Sequence, residues 1–497
     1  MDALQTDETW LSNRISEDEI TRYLVNKKAF IDEAEIFSAL NSAKPPDKAR
    51  LKDILDKALA IKTLSINETA ELIKLPNDVF EKEVAPVCLE IKKKVYDNRI
   101  VTFAPLYLSN YCVNNCMYCG FRVDNTLVKR VHLGIDEIKE EIKVLAGKIG
   151  HKRLIVVYGE HPINSIEYME KSINAIYSVK ERGQFGESGI RRVNVNAPPL
   201  RIDELRRLHK MGIGTYQVFQ ETYHRQTYEQ LHPVGTIKGN YLWRLYSMHR
   251  AMDGGIDDVG IGVLLGLYDW RFEVLALLSH AIEMERYFGI GPHTISFPRI
   301  EPAFNTPFTA NAKYKVSDDD FLKFIGLIRL AVPYTGLIIT AREPKEIRDK
   351  SFAYGVTQTD ASSNIGLGGY SREESEQHGD MQQFFLGDMR SLDELIRDLA
   401  DMGYITSFCT AGYRCGRTGK KIMDLLKTGQ EGRFCKLNAV LTFREWLDDF
   451  ASEETKQKAE ALINREIEEI RQLMPDTFPK LMEYYEKTKS GRRDLYF

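Results

Sequence analysis

The sequence predicts a closed parallel (β/α)8 barrel of the TIM type, carrying helical extensions before and after it. Three observations predict this. Between about residues 99 and 360, eight short apolar or β-branched runs recur, each followed by a charged stretch with helical spacing. Eight strand–helix repeats are the number that closes a parallel sheet on itself. Outside that stretch, only helical patterns are legible. The chain divides accordingly into a helical region over 1–97, the barrel over 98–385 and a helical segment over 386–497.

Each element has its own local reason. Ser16–Leu24, Asp32–Asn41, Asp47–Leu59 and Glu68–Leu75 carry apolar residues at helical spacing among many charges. Ser65-Ile-Asn-Glu68 has the spacing of a capping box, which marks a helix start. The expected strands are Arg99–Ser109, Arg153–Tyr158, Arg191–Asn196, Thr215–Gln220, Asp258–Leu265, Thr294–Pro298, Leu337–Thr340 and Val356–Thr359. Amphipathic stretches such as Ile135–Lys148, Ile166–Arg182 and Arg201–Met211 supply helices between them. After about residue 385 no strand is expected, and Ser452–Lys489 reads as a charged helical tail.

Composition excludes several classes. Hydrophobic residues make up 43% and charged residues 28% of 497, an ordinary globular balance. Lys plus Arg is 68 against 72 for Asp plus Glu, so nothing invites nucleic acid or an anionic membrane surface. No apolar run approaches a membrane span. The polar start Met1-Asp-Ala-Leu-Gln-Thr-Asp-Glu-Thr-Trp10 lacks the pattern of a secretory signal. A cytoplasmic, soluble protein is the expectation. The cysteines number seven and are clustered, which argues for reduced thiols and metal ligation before disulfides.

The chemistry concentrates after the first expected strand, in Tyr107-Leu-Ser-Asn-Tyr-Cys112-Val-Asn-Asn-Cys116-Met-Tyr-Cys119-Gly-Phe-Arg. Loops that follow barrel strands line the catalytic face. A four-iron cubane usually takes four thiolates, so three thiolates leave one iron open to a chelating small molecule. Zinc competes for such thiols, but would want a fourth Cys or His close by, and the loop has none.

This Cys-x3-Cys-x-Tyr-Cys pattern on the first loop of a barrel resembles the radical S-adenosylmethionine (SAM) enzymes. The resemblance implies a [4Fe–4S] cluster on Cys112, Cys116 and Cys119, with Tyr118 near the adenine of bound S-adenosylmethionine. It implies that Gly159 and Glu160 meet the methionine amino group, where close backbone approach and an acceptor for a cation both make sense. Phe103–Cys116, Arg191–Asn196, Gly214–Arg225, Gly255–Gly266, Gly291–Arg299 and the terminal Arg493-Asp-Leu-Tyr-Phe497 are similar to the aromatic amino-acid lyases of that superfamily. They are most like the tyrosine lyases of [FeFe]-hydrogenase maturation and more distantly like the 2-iminoacetate synthases. The match covers roughly 85–497. It implies cleavage of the tyrosine Cα–Cβ bond to p-cresol and dehydroglycine (2-iminoacetate), an amino-acid substrate, an electron donor and maturation partner proteins. A zwitterionic substrate requires a cation for its carboxylate. Arg299, ending the sixth strand, and Arg342, after the seventh, are the candidates for that clamp. The Gly366-Leu-Gly-Gly-Tyr370 loop is a candidate for close approach to an anion, or simply a flexible loop.

Two departures bear on function. The hydrogenase-maturation lyases hold a second cluster with Cys-x2-Cys-x22-Cys, associated with turning dehydroglycine into carbon monoxide and cyanide. Here that register reads Cys409, Gly412, Cys435, with Cys415 three residues beyond the gap. If the segment is helical, Cys415 could supply the lost ligand, since positions three apart share a face. Glu301 places a carboxylate where a basic or neutral residue is expected, which opens the reading of another amino-acid substrate. Tyr158 is unusual for a pocket-side position, and His293 faces a cavity or packs in the core. A cluster-binding scaffold without lyase activity is the reading in a different class.

Overall fold

A computed structural model describes residues 8–372, 376–428 and 431–497. Met1–Asp7, at the start of the polar N-terminus considered above, lie outside the described residues. The eight barrel strands are β1 (Arg99–Ser109), β2 (Arg153–Tyr158), β3 (Arg192–Asn196), β4 (Tyr216–Gln217), β5 (Val259–Gly262), β6 (Thr294–Ser296), β7 (Gly336–Ile339) and β8 (Gln358–Asp360). Each pairs in parallel with its neighbour in sequence, and β8 pairs with β1 to close the ring. Helices cover the outside, including Ile166–Ser178, Ile202–Lys210, Trp270–Phe288 and Asp318–Ala331. The closed barrel is the fold the sequence predicts.

Two expectations are overturned. Strands do not stop at 385: Ile405–Ser407, named β9, pairs in parallel with the start of β1, Arg99 opposite Ile405 and Val101 opposite Ser407. This accounts for the length of β1. Its middle meets β8 at Val101–Phe103 and its far half meets β2 from Ala104 onward, while its first residues run on below the ring to hold β9. All eleven residues of β1 are buried. Three residues of β9 are too few to show the alternation that marks a strand. The helix expected to reach Arg182 ends at Ser178, and Glu181–Arg182 turns into a short antiparallel pair with Glu187–Ser188.

The N-terminal helices dock on the barrel wall. Ser65 forms the expected capping box: its Oγ accepts from the Glu68 amide at 3.2 Å, and Glu68 accepts from the Ser65 amide at 2.8 Å. Lys323 Nζ donates to the Ile73 carbonyl at 2.9 Å, and Tyr23 donates to Asp253 at 2.6 Å. One apolar core runs from Ile20 through the barrel to Tyr485. No helix among the described residues is long and apolar enough to cross a membrane.

Candidate active site

The C-terminal ends of the strands open into a cavity with about 1140 Å3 of empty space. Its first wall is the loop after β1. Short polar side chains and one arginine hold that loop. Asn110 bonds the Lys129 carbonyl (2.7 Å) and the Val131 amide (2.7 Å). Asn125 donates to the Gly120 carbonyl at 2.8 Å. Arg130 donates to the carbonyls of Asn110, Phe121 and Arg122 at 2.7–2.8 Å. The Cys119 amide returns to the Cys116 carbonyl at 3.1 Å, which makes a tight turn of this segment.

Cys112, Cys116 and Cys119 all line this cavity. Burial pushes the Cys116 thiol up to about 12, and raises Cys112 as well. Such thiols stay protonated until a cation arrives, which is how metal ligation displaces protons from a preformed site. Gln383 Nε2 donates to the Cys119 sulfur at 3.4 Å. Three thiols lining one cavity, one of them receiving an amide hydrogen bond, fit an iron–sulfur cluster, whose thiolates each take a different iron.

Gly159 and Glu160 close the end of β2. A Cβ on Gly159 would stand 2.2 Å from the Tyr111 carbonyl oxygen, so only glycine lets the strand end lie against the thiol loop. Gly159→Ala is expected to cost about 1–3 kcal/mol of stability and to displace the loop. Thermal unfolding checks the first effect, and iron retained after reconstitution the second. Glu160 is 4% exposed. Its Oε2 accepts from Asn114 Nδ2 at 2.6 Å, while Oε1 is buried with no partner. Burial raises its carboxyl above the usual range. A buried carboxylate oxygen left open toward a cavity is an acceptor waiting for a cation.

Of the two arginines proposed from sequence, the structure keeps one at the cavity. Arg299 turns away. It is held by Glu343, by Asp318 at 2.8 Å and by the Val316 carbonyl at 3.0 Å, which ties β6 to the β7 loop. Arg342 lines the cavity with its guanidinium 3.3 Å from the centroid of the Phe384 ring. Among the described residues it has no ion pair, and burial lowers its pKa. Glu301 also lines the cavity, half-buried. Burial and Glu343 raise its carboxyl, against Arg342 and Arg299.

Three charged residues at this mouth were not read from sequence. Glu221 sits at a backbone φ of 71° after β4. Its Oε1 accepts from Lys238 Nζ at 2.7 Å and from Arg244 at 3.2 Å. Burial alone would raise Glu221, but Lys238 and Arg244 hold it down at about 2. Lys238 Nζ lies 5.4 Å from the Tyr118 ring, and the Tyr118 hydroxyl meets His232 Nε2 at 2.7 Å. The network therefore fixes the aromatic ring beside Cys116.

Tyr158 lines the cavity, and its hydroxyl bonds Ser172 at 2.7 Å. Other candidates fall elsewhere. Gly366–Tyr370 does not line it, and the Tyr370 and Ser371 amides donate to Glu141 at 3.1 and 2.7 Å. His293 and Cys409 lie at the opposite, N-terminal end of the barrel, around a second cavity with about 500 Å3 of empty space. Cys415 caps the turn Ala411–Arg414, and its sulfur contacts the Phe497 carbonyl at 3.5 Å. Cys435 is buried on the helix Glu431–Phe450. Neither Cys415 nor Cys435 lines the lower cavity.

Comparison with known proteins agrees with the geometry. The Radical SAM superfamily profile matches residues 106–278, and that of the Biotin and Thiamin Synthesis associated domain matches 296–405. The chain is 28% identical over 351 residues to 2-iminoacetate synthase of Salmonella typhimurium, 70% of this chain and 88% of that protein. Against the crystal structure of HydG, a maturase of the [FeFe]-hydrogenase, identity is 43% and the TM-score 0.89, over 94% of this chain and all of the other. For HydG from Carboxydothermus hydrogenoformans the values are 35% and 0.74, over 96% and 100%.

Proposed function

Because the chain belongs to the HydG family of radical SAM enzymes, we propose that it is a carbon–carbon lyase that cleaves the Cα–Cβ bond of L-tyrosine, giving p-cresol and 2-iminoacetate. The observation that carries this reading is the joint presence, around one cavity, of three thiols, a buried carboxylate oxygen and a cation, Arg342, the last two unpaired among the described residues.

Cys112, Cys116 and Cys119 would hold a [4Fe–4S] cluster with one iron free of protein ligands. When bound, the cluster and S-adenosylmethionine supply a one-electron cleavage of the sulfonium and a 5'-deoxyadenosyl radical. The chain's own residues supply position and charge. Glu160 Oε1 accepts from the methionine ammonium, and Gly159 lets the backbone come close enough. Tyr118, held by His232 and Lys238, packs against the adenine. Arg342 pairs the tyrosine carboxylate in a cavity where few waters compete. Tyr107, Phe121 and Phe384 wall the same space and keep water from a reactive carbon radical.

Glu301 supports a second reading, an aromatic amino acid other than tyrosine, because its carboxylate competes with a substrate for Arg342. Anaerobic incubation with S-adenosylmethionine, dithionite and tyrosine separates the cases. The expected result is 5'-deoxyadenosine and p-cresol in comparable amounts. 5'-Deoxyadenosine without p-cresol would move the assignment to another substrate, and neither product would favour a scaffold.

A further inference from the structure

The HydG resemblance brings with it a second cluster on the C-terminal segment, and the two ends of this barrel can be compared on one criterion. At the upper end, three thiols line one cavity. At the lower end only Cys409 does. The second ligand position is Gly412, and it lines that cavity with open space. A Cβ built there has nothing nearer than the Arg417 carbonyl oxygen at 3.8 Å. The space for a thiol survives and the thiol does not.

Cys415 does not fill the vacancy. Its amide returns to Ala411 at 3.1 Å, which ends the turn and aims the sulfur at the chain terminus. The terminus is itself pinned: the Phe497 amide donates to Asn438 Oδ1 at 2.8 Å, and its carbonyl accepts from Arg417 at 3.1 Å and Asn438 at 3.3 Å. Bringing Cys415 inward would break its own contact with the Phe497 carbonyl. Cys435 is buried on the helix Glu431–Phe450 and does not line the lower cavity, so among the described residues Cys409 faces it without a second thiol. What faces the lower cavity instead is a wall of apolar side chains, Val101, Ile422 and Leu426 among them, with a few buried polar groups. Arg153 is 1% exposed with Nε and Nη2 unpartnered, and Asp258 Oδ1 and Gln358 Oε1 are likewise buried and unpartnered.

We infer that this chain holds a single iron–sulfur cluster, at Cys112, Cys116 and Cys119, and that its reaction ends at release of the imine. The cluster count stands on the geometry alone; the product half rests on the tyrosine reading. The imine carbon of HN=CH–COO⁻ is electrophilic. Water adds to it, the C–N bond breaks and nitrogen leaves as ammonia, giving glyoxylate with no change of oxidation level. The consumer of this product is a separate catalyst that traps the imine by nucleophilic addition before water does.

The test uses the full-length protein, reconstituted anaerobically with iron and sulfide. The wild type is expected to carry about four irons and four sulfides. A Cys409→Ser/Cys435→Ser variant is expected to carry the same, and a Cys112→Ser/Cys116→Ser/Cys119→Ser variant almost none. About eight irons in the wild type, or about four in the last variant with a [4Fe–4S] EPR signal, would overturn the inference. The wild-type count decides even if the triple variant does not fold. With tyrosine, p-cresol should be matched by glyoxylate and ammonium, with no carbon monoxide captured by a ferrous haem protein. Carbon monoxide at a level comparable to p-cresol would overturn the product half. Absence of p-cresol would be a failure of the lyase reading and leaves the iron count to decide the inference.

Discussion

Cys116→Ala abolishes 5'-deoxyadenosine formation, leaving no signal above the protein-free control. The expected loss is total because one missing thiolate exposes a second iron, and a cubane on two thiolates is not retained through reconstitution. Cys88 provides the control. It too is a fully buried thiol pushed up to about 12, and its sulfur contacts the Gly326 carbonyl at 3.5 Å on the far side of the core. Burial and acidity therefore do not separate the two cysteines; position at the cavity does. Cys88→Ala should keep its iron and its 5'-deoxyadenosine yield. Iron content and product yield, measured together on both variants, check the pair.

Arg342→Gln lowers kcat/KM for tyrosine by about two to three orders of magnitude, since truncating one partner of a buried charge pair costs about 2–5 kcal/mol. Iron content and slow 5'-deoxyadenosine formation without substrate should be largely kept, because no hydrogen bond or ion pair among the described residues joins the Arg342 side chain to Cys112, Cys116, Cys119 or Glu160. Arg299→Gln should behave differently. Its partner Glu343 is fully buried, so the loss leaves an uncompensated charge and shows as lowered thermal stability, about 3–5 kcal/mol, before any specific change in KM. If Arg299→Gln raised KM more than Arg342→Gln, the substrate clamp would have been placed on the wrong arginine.

That contrast also marks how far sequence reasoning reached. The thiol triplet was legible because its three members lie within one loop, and the strands because each is a short apolar run followed by a helix. Gly159 and Glu160 came through the family resemblance, since a Gly-Glu pair at a strand end alone reads as a plain turn. The choice between Arg299 and Arg342 was not legible. It depends on Glu343, adjacent in sequence to Arg342 yet paired across strands with Arg299, and only the β6–β7 neighbourhood decides that. The Glu221–Lys238–Arg244 network was missed for a similar reason: its members are up to 23 residues apart, two on loops and Arg244 on the short helix Tyr241–Leu245, with no shared period. Cys415 was weighed as a ligand by helical spacing. The one-turn helix does form there, but its Cys415 sulfur meets the carbonyl of the last residue, Phe497, which Asn438 on the helix Glu431–Phe450 holds in place. β9 shows the lower limit of pattern reading, since pairing with an over-long β1, rather than its own composition, makes those three residues a strand.

The central claim is an iron at the barrel mouth with no protein thiolate, available to S-adenosylmethionine. EPR of the dithionite-reduced, full-length protein tests it most directly. A reduced [4Fe–4S] signal whose g-values shift when S-adenosylmethionine is added is the predicted result, and the same signal should be missing in Cys116→Ala. A protein that gives no such signal after reconstitution, or one whose spectrum stays unchanged on addition of S-adenosylmethionine, would contradict it.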